Sequence, residues 1–268
     1  MACESSRAVG IFDSGVGGLT VHRRIVERLP NENVVYLGDT ARVPYGTKSA
    51  NTVERYAQNC AGALLKEGIK LLVVACNTAS AYALESLRDN LDIPVLGVVE
   101  PGAQRAAQQT RNGRIGIIGT TGTIASGEYQ RAIERYAPES QVYCTACPLF
   151  VPLAEEGWVT GGIPEQIVHH YLAALLDARI DTLVLGCTHY PLLKDAIGAV
   201  VGPDVFLVDS AEATAAAVAD TIEGLGIART TEESPERRFL VTDDTNTFAR
   251  VGALFLGEPI TNVHWVDF

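Results

Sequence analysis

The sequence predicts an α/β protein of two similar halves, each a mostly parallel sheet flanked by helices. Three observations carry that prediction. Short apolar, β-branched runs alternate with amphipathic stretches along all 268 residues, the pattern of parallel strands joined by right-handed crossover helices. Two segments read as copies of each other, Leu71-Leu72-Val73-Val74-Ala75-Cys76-Asn77-Thr78 and Leu183-Val184-Leu185-Gly186-Cys187-Thr188-His189-Tyr190. The stretch Ala8-Val9-Gly10-Ile11-Phe12-Asp13-Ser14-Gly15 also resembles Arg114-Ile115-Gly116-Ile117-Ile118-Gly119-Thr120-Thr121. Matching Asp13 to Thr120 shifts the numbering by 107, and matching Cys76 to Cys187 shifts it by 111. Two independent anchors with near-equal offsets mark an internal repeat.

Strands are expected over 8–12, 33–37, 70–75, 94–98, 114–119, 141–145, 181–186, 204–208 and 238–242, each a β-rich apolar run bounded by turn residues. Between the first two, Val21, Ile25 and Leu29 recur at helical spacing. After Ser49, Val53, Tyr56, Ala57, Cys60 and Leu64 line one face of an amphipathic helix. The polar run Thr230-Thr231-Glu232-Glu233-Ser234-Pro235-Glu236 reads as a surface loop.

Composition narrows the function classes. No apolar run approaches the roughly 18 residues of a membrane span. The opening Met-Ala-Cys-Glu-Ser-Ser-Arg has no basic region followed by an apolar core, so the expected location is the cytoplasm, with the six cysteines reduced. A formal charge of −11 repels a polyanion, so no nucleic-acid partner is expected.

The candidate site residues cluster at strand exits, where ligands sit in open α/β sheets. Asp13-Ser14-Gly15-Val16-Gly17-Gly18 follows the first strand; it matches neither a Walker motif nor G-x-G-x-x-G. Its backbone N–H groups suit an anion, although such glycines also serve as plain tight turns. Asp13 at a buried strand exit could orient a cysteine or accept an ammonium group. Pro44-Tyr45-Gly46 is a loop fixed by turn chemistry that could present Tyr45 and the Gly46 N–H to a ligand.

Cys76 and Cys187 stand beside polar groups, Asn77 and Thr78 in one case and Thr188 and His189 in the other. That separates them from Cys60, which reads as a small core hydrophobe. Helix N-termini after both segments would favour thiolate, and His189 could exchange protons or hold charge near Cys187. Two thiols at equivalent places in two halves suit a symmetric proton transfer from opposite faces of one substrate. Cys144-x-x-Cys147 lies on an expected strand with no second pair, so its spacing reads as incidental. Zinc on Cys76, Cys187 and His189 would lack an evident fourth ligand, with Asp13 a candidate only, so no metal is expected. Pyridoxal phosphate needs a Schiff-base lysine, and Lys48, Lys66, Lys70 and Lys194 all lie outside the cysteine blocks. No cofactor is therefore expected. A regulatory protein that only bound a ligand would not need both thiols with Asp13 and His189, and a redox protein would rest on Cys144 and Cys147 alone.

Together, Phe12-Asp13-Ser14-Gly15-Val16-Gly17-Gly18-Leu19, Gly38-Asp39-Thr40, Pro44-Tyr45-Gly46, Ala75-Cys76-Asn77-Thr78-Ala79 and Leu185-Gly186-Cys187-Thr188-His189-Tyr190-Pro191-Leu192 resemble the glutamate racemases of bacterial cell-wall synthesis. The matching blocks span about residues 8–215. The resemblance implies a cofactor-independent isomerase interconverting L- and D-glutamate. It implies two pseudo-symmetric α/β domains around the site, 1–98 plus 208–268 and 99–207. By the same resemblance Cys76 acts on the D-isomer's α-hydrogen with Asp13 assisting, and Cys187 on the L-isomer's with His189 assisting. Asp13, Ser14, Tyr45, Gly46, Asn77, Thr78, Thr120, Thr121, Thr188 and His189 would bind substrate. An acidic residue near the site, Glu155 or Glu156, is also implied. The expected partner is glutamate, with a homodimer allowed and neither membrane nor nucleic acid bound.

Overall fold

The computed structural model describes residues 4–268; the leader reading of the first three residues, and Cys3, lie outside them. Every one of the nine expected strands is present within a few residues. β1 (Ala8–Asp13), β2 (Val34–Gly38), β3 (Ile69–Val74) and β4 (Val95–Gly97) form one sheet with β9 (Arg237–Val241) and β10 (Val263–Trp265), in the order β10-β9-β2-β1-β3-β4. β5 (Arg114–Gly119), β6 (Gln141–Ala146), β7 (Thr182–Gly186) and β8 (Phe206–Asp209) form a second, in the order β6-β5-β7-β8. All pairings are parallel. The order β2-β1-β3-β4 within the first sheet recurs as the whole of the second, so the repeat in sequence is a repeat in topology. β10 was not anticipated: three residues at a sheet edge, ending in exposed Trp265, are too short to show a period.

Helices cover both faces of each sheet, which is why the strands read as unbroken apolar runs. In β1, Val9 and Ile11 enter one core with α1 (Leu19–Arg28), while Ala8 and Phe12 enter the other with α2 (Ala50–Lys66). Val53, Ala57, Cys60 and Leu64 of α2 are all buried, as their spacing requires. β3 repeats the division, Leu71 and Val73 on one side and Ile69, Leu72 and Val74 on the other. Burying such side chains contributes roughly 1.5–3 kcal/mol each, so this alternation fixes which residues remain at the strand ends.

α3 (Asn77–Asn90) follows β3, and α4 (Val99–Gln109) carries the chain from the first sheet to β5. α5 (Thr121–Ser126) and α6 (Glu128–Tyr136) lead to β6; α7 (Phe150–Glu155) and α8 (Gly162–Asp177) lead to β7; α9 (Lys194–Val201) leads to β8. α10 (Ser210–Gly224) then returns the chain to the first sheet, packing on α1 and α4, and α11 (Thr245–Leu256) joins β9 to β10. The polypeptide thus passes between the sheets twice. The expected loop over 230–236 lies in irregular, largely exposed chain before β9. Among the described residues no helix is long and apolar enough to cross a membrane.

Candidate active site

Four parallel strands deliver the site at their carboxyl ends, the position such sheets reserve for ligands. β1 ends on Asp13, Cys76 sits at the N-cap of α3 just past β3, Thr120 caps α5 after β5, and Cys187 follows β7. The halves meet through these residues. Thr188 Oγ1 lies 3.4 Å from Asp13 Oδ1, and Thr20 Oγ1 donates to the Thr188 carbonyl at 3.1 Å. The hydroxyls of Thr78, Thr120 and Thr123 form a triangle with sides of 3.0, 3.1 and 3.0 Å.

The two thiols sit in unlike surroundings. Cys76 Sγ contacts Ser14 Oγ at 3.8 Å. Burial and then the neighbouring Asp13 charge push this thiol up to about 12, against the Ala79 N–H and the Ser14 hydroxyl. Cys76 is therefore held as a neutral thiol near neutral pH. Cys187 Sγ instead lies 3.9 Å from His189 Nδ1, and His189 Nε2 lies 2.9 Å from Glu155 Oε1. Burial alone would lower the imidazole, but Cys187 and Glu155 outweigh it and raise it to about 10. An imidazolium thus stands beside Cys187, the counter-charge a thiolate requires. Asp13, fully buried, is raised by desolvation and restrained by the His189 charge, the N–H groups of Gly15 and Gly18, and Thr188.

The glycine loop makes this proximity possible. A Cβ on Gly17 would overlap Thr188 Oγ1 and the His189 ring, and one on Gly46 would come within 2.6 Å of Thr120 Cβ. Both glycines are positions where backbone of one half closes on side chains of the other. The site is nearly sealed in this conformation: each thiol is 6% exposed and Asp13 0%. An open cavity of about 240 Å³, lined among others by Gly15, Thr40, Glu155 and Phe248, lies beside the His189–Glu155 pair.

The structure brings Asp13, Ser14, Asn77, Thr78, Thr120, Thr188 and His189 together around the two cysteines. Thr121 opens α5 with its side chain exposed, outside this cluster. The Tyr45 hydroxyl is directed at Asp39 Oδ2, 2.5 Å away, and at Cys60, so its side chain belongs to the core that α2 covers and only the adjoining Gly46 approaches the second half. Of the two acidic residues, Glu155 faces His189, whereas Glu156 caps α7 on the outside. Three contributors escaped sequence reading: Thr20, Phe255 with its ring centroid 5.0 Å from that of His189, and Tyr129, which donates to Asn77 Oδ1 at 2.7 Å. Of these only Thr20 carried a signal, its place one turn after the glycine loop. Cys144 stays apart from the cluster on β6, whereas Cys147, just beyond it, is buried in the same core as Cys187. Among the described residues no three His, Cys, Asp or Glu groups converge as a cation cage.

Two buried thiols at equivalent strand exits of a repeated α/β unit, Cys76 beside Ser14 and Cys187 beside the His189–Glu155 pair, form an arrangement suited to acid–base chemistry. The chain belongs to the Asp/Glu/Hydantoin racemase family, whose sequence profile matches residues 10–218. It is 56% identical over 261 residues to the glutamate racemase of Geobacter metallireducens, with 97% of each chain covered. A solved glutamate racemase from Francisella tularensis subsp. tularensis SCHU S4, in complex with D-glutamate, superposes with a TM-score of 0.92 at 37% identity over 98% of both chains. The Thermus thermophilus glutamate racemase, in complex with β-chloro-D-alanine, gives 0.88 at 46% identity, covering 98% of this chain and 97% of that one.

Proposed function

We propose that this protein interconverts L- and D-glutamate by proton transfer between the substrate α-carbon and two cysteines, without a cofactor, in the cytoplasm, and so supplies D-glutamate for peptidoglycan. What carries the reading is the placement of Cys76 and Cys187 at equivalent strand exits of the two halves, each with its own polar partner. The glutamate assignment rests on the named relatives; the division into 1–98 plus 208–268 and 99–207 is part of the same proposal, separating β1–β4, β9 and β10 from β5–β7 with its second boundary inside β8.

The surroundings support one division of roles: Cys187, 3.9 Å from His189 Nδ1, serves as the base toward L-glutamate, and Cys76, whose thiol is pushed up by burial and Asp13, as the acid. Cys187 then removes the α-hydrogen of L-glutamate while Cys76 delivers its proton to the opposite face, giving D-glutamate. Afterwards Cys187 holds the proton and Cys76 the negative charge, so the reverse reaction begins with Cys76, and Asp13 is placed to take up or return a proton there. Proton abstraction from an amino acid is hard because the carbanion is so basic. Burial of the site excludes water and lets fixed donors act at low dielectric. Asn77, Thr78, Thr120, Thr188 and Ser14 are those donors, holding the substrate's charged groups.

Isotope incorporation tests the opposed pair. In heavy water, early D-glutamate formed from L-glutamate should be almost fully deuterated at the α-carbon, because the delivering thiol has exchanged with solvent. Unreacted L-glutamate should remain mostly unlabelled. Substantial unlabelled D-glutamate at low conversion would mean that one base serves both faces, and the two-thiol reading would fall.

A further inference from the structure

We infer that Tyr129 is a positioning residue for the reaction: its hydroxyl fixes the Asn77 amide, and its ring fixes the spacing between the segments that carry the two thiols. The inference rests on Asn77 being a substrate ligand, as proposed above. Tyr129 lies on α6 of the second half, 1% exposed, in the core with Val99, Ala103 and Val184. From there it reaches across the interface. Its hydroxyl donates to Asn77 Oδ1 at 2.7 Å, on the residue next to Cys76. Its ring lies against Gly186, the residue before Cys187, so closely that a Cβ there would sit 3.1 Å from the ring edge. One rigid side chain therefore touches the neighbour of each thiol.

The hydrogen bond also settles which way the amide points. With Oδ1 engaged by Tyr129, the other end of the Asn77 side chain, Nδ2, is buried and has no hydrogen-bond partner. A buried donor without a partner costs free energy unless a ligand meets it. An amide free to rotate would present either its oxygen or its NH2 to the site, and an oxygen would repel a substrate carboxylate. With the Tyr129 proton on the amide oxygen, the NH2 is the presented group.

The test is the Tyr129→Phe variant, which keeps the ring on Gly186 and removes only the hydroxyl. KM for L- and D-glutamate should both rise by about tenfold, the size of one hydrogen bond in a buried site, with kcat changed less than about threefold. A purely structural tyrosine would lower the melting temperature and leave KM alone, and that result overturns the inference. Asn77→Ala and the double variant separate the two readings. If Tyr129 acts through Asn77, the double variant has the KM of Asn77→Ala; multiplied effects overturn the inference while leaving Asn77 as a ligand. An Asn77→Ala protein with unchanged KM removes both. Should Tyr129→Phe not fold, 3,5-difluorotyrosine at position 129 keeps the hydroxyl and the packing but donates more strongly. KM should then fall at least about twofold, and an unchanged KM overturns the inference.

Discussion

Replacing Glu155 by Gln tests the electrostatic assignment of the Cys187 side directly. Glu155 Oε1 lies 2.9 Å from His189 Nε2, and the pair joins a buried ring to a carboxylate whose side chain is 37% exposed. A hydrogen bond to a charged partner contributes about 1.5–3 kcal/mol, and screening at a partly exposed carboxylate places this one at the lower end. A loss of about 1.4 kcal/mol corresponds to about one pH unit, so His189 should titrate lower than its present value of about 10 by that amount. Deprotonating His189 removes the positive charge beside Cys187 Sγ, 3.9 Å away. The alkaline limb of the L-to-D rate should therefore move down by about one unit, with the rate near pH 7 within a few-fold of the parent, because the ring remains charged there. Stability follows the same sign. A group raised above its unfolded value, about 6.5 for histidine, stabilises the fold fully below that value and loses the contribution as pH rises through about 10. The variant should lose it about one unit earlier. The assay is the initial rate of D-glutamate formation across pH, with Glu156→Gln as the control that should leave the profile in place. An unmoved alkaline limb in Glu155→Gln would refute the claim that Glu155 sets the His189 charge.

Cys76→Ala and Cys187→Ala should each reduce turnover in both directions by at least about a thousandfold, whereas Cys60→Ala and Cys144→Ala should stay within a few-fold; a dead Cys144→Ala beside an active Cys76→Ala would relocate the site. Gly17→Ala puts a methyl into Thr188 and His189, so kcat/KM should fall by about a hundredfold, the scale of a one-ångström misplacement, with circular dichroism unchanged. A variant as active as the parent would show that the halves do not close as described. Chelator-treated protein free of pyridoxal absorbance should keep full activity, and loss on chelation with recovery on zinc would replace the two-thiol reading by a metal one.

The fold was legible because both sheets are parallel and covered on both faces, which writes each central strand as an apolar run and each helix as a periodic one. Asp13, Cys76 and Cys187 were legible for a related reason: polar residues ending an apolar strand have few structural uses. What stayed hidden depends on side-chain direction. Tyr45 sits in a conspicuous loop, yet its hydroxyl is turned to Asp39. Glu155 and Glu156 are neighbours in sequence, and only the orientation of α7 on its core decides which meets His189. Tyr129 and Phe255 reach the site from helices of ordinary amphipathic pattern, so nothing local distinguishes them from core residues. β10 lacked the length to leave a pattern.

The double passage of the chain between the sheets, through α4 and α10, has a mechanical consequence. A body tied to another at one point can swing in any direction, but two neighbouring ties leave mainly rotation about the line joining them. Because α4 and α10 pack on each other, the two ties are neighbours, and an opening between the halves would be a door-like swing about them. Ser14 and the Ala79 N–H travel with Cys76, while His189 and Glu155 travel with Cys187. The swing therefore alters the gap between the thiols while each keeps its own near partners. Proton affinity is tuned within each leaf of the door and reach is tuned at the hinge, so selection can adjust how fast glutamate enters and leaves with little change to the chemistry that acts on it.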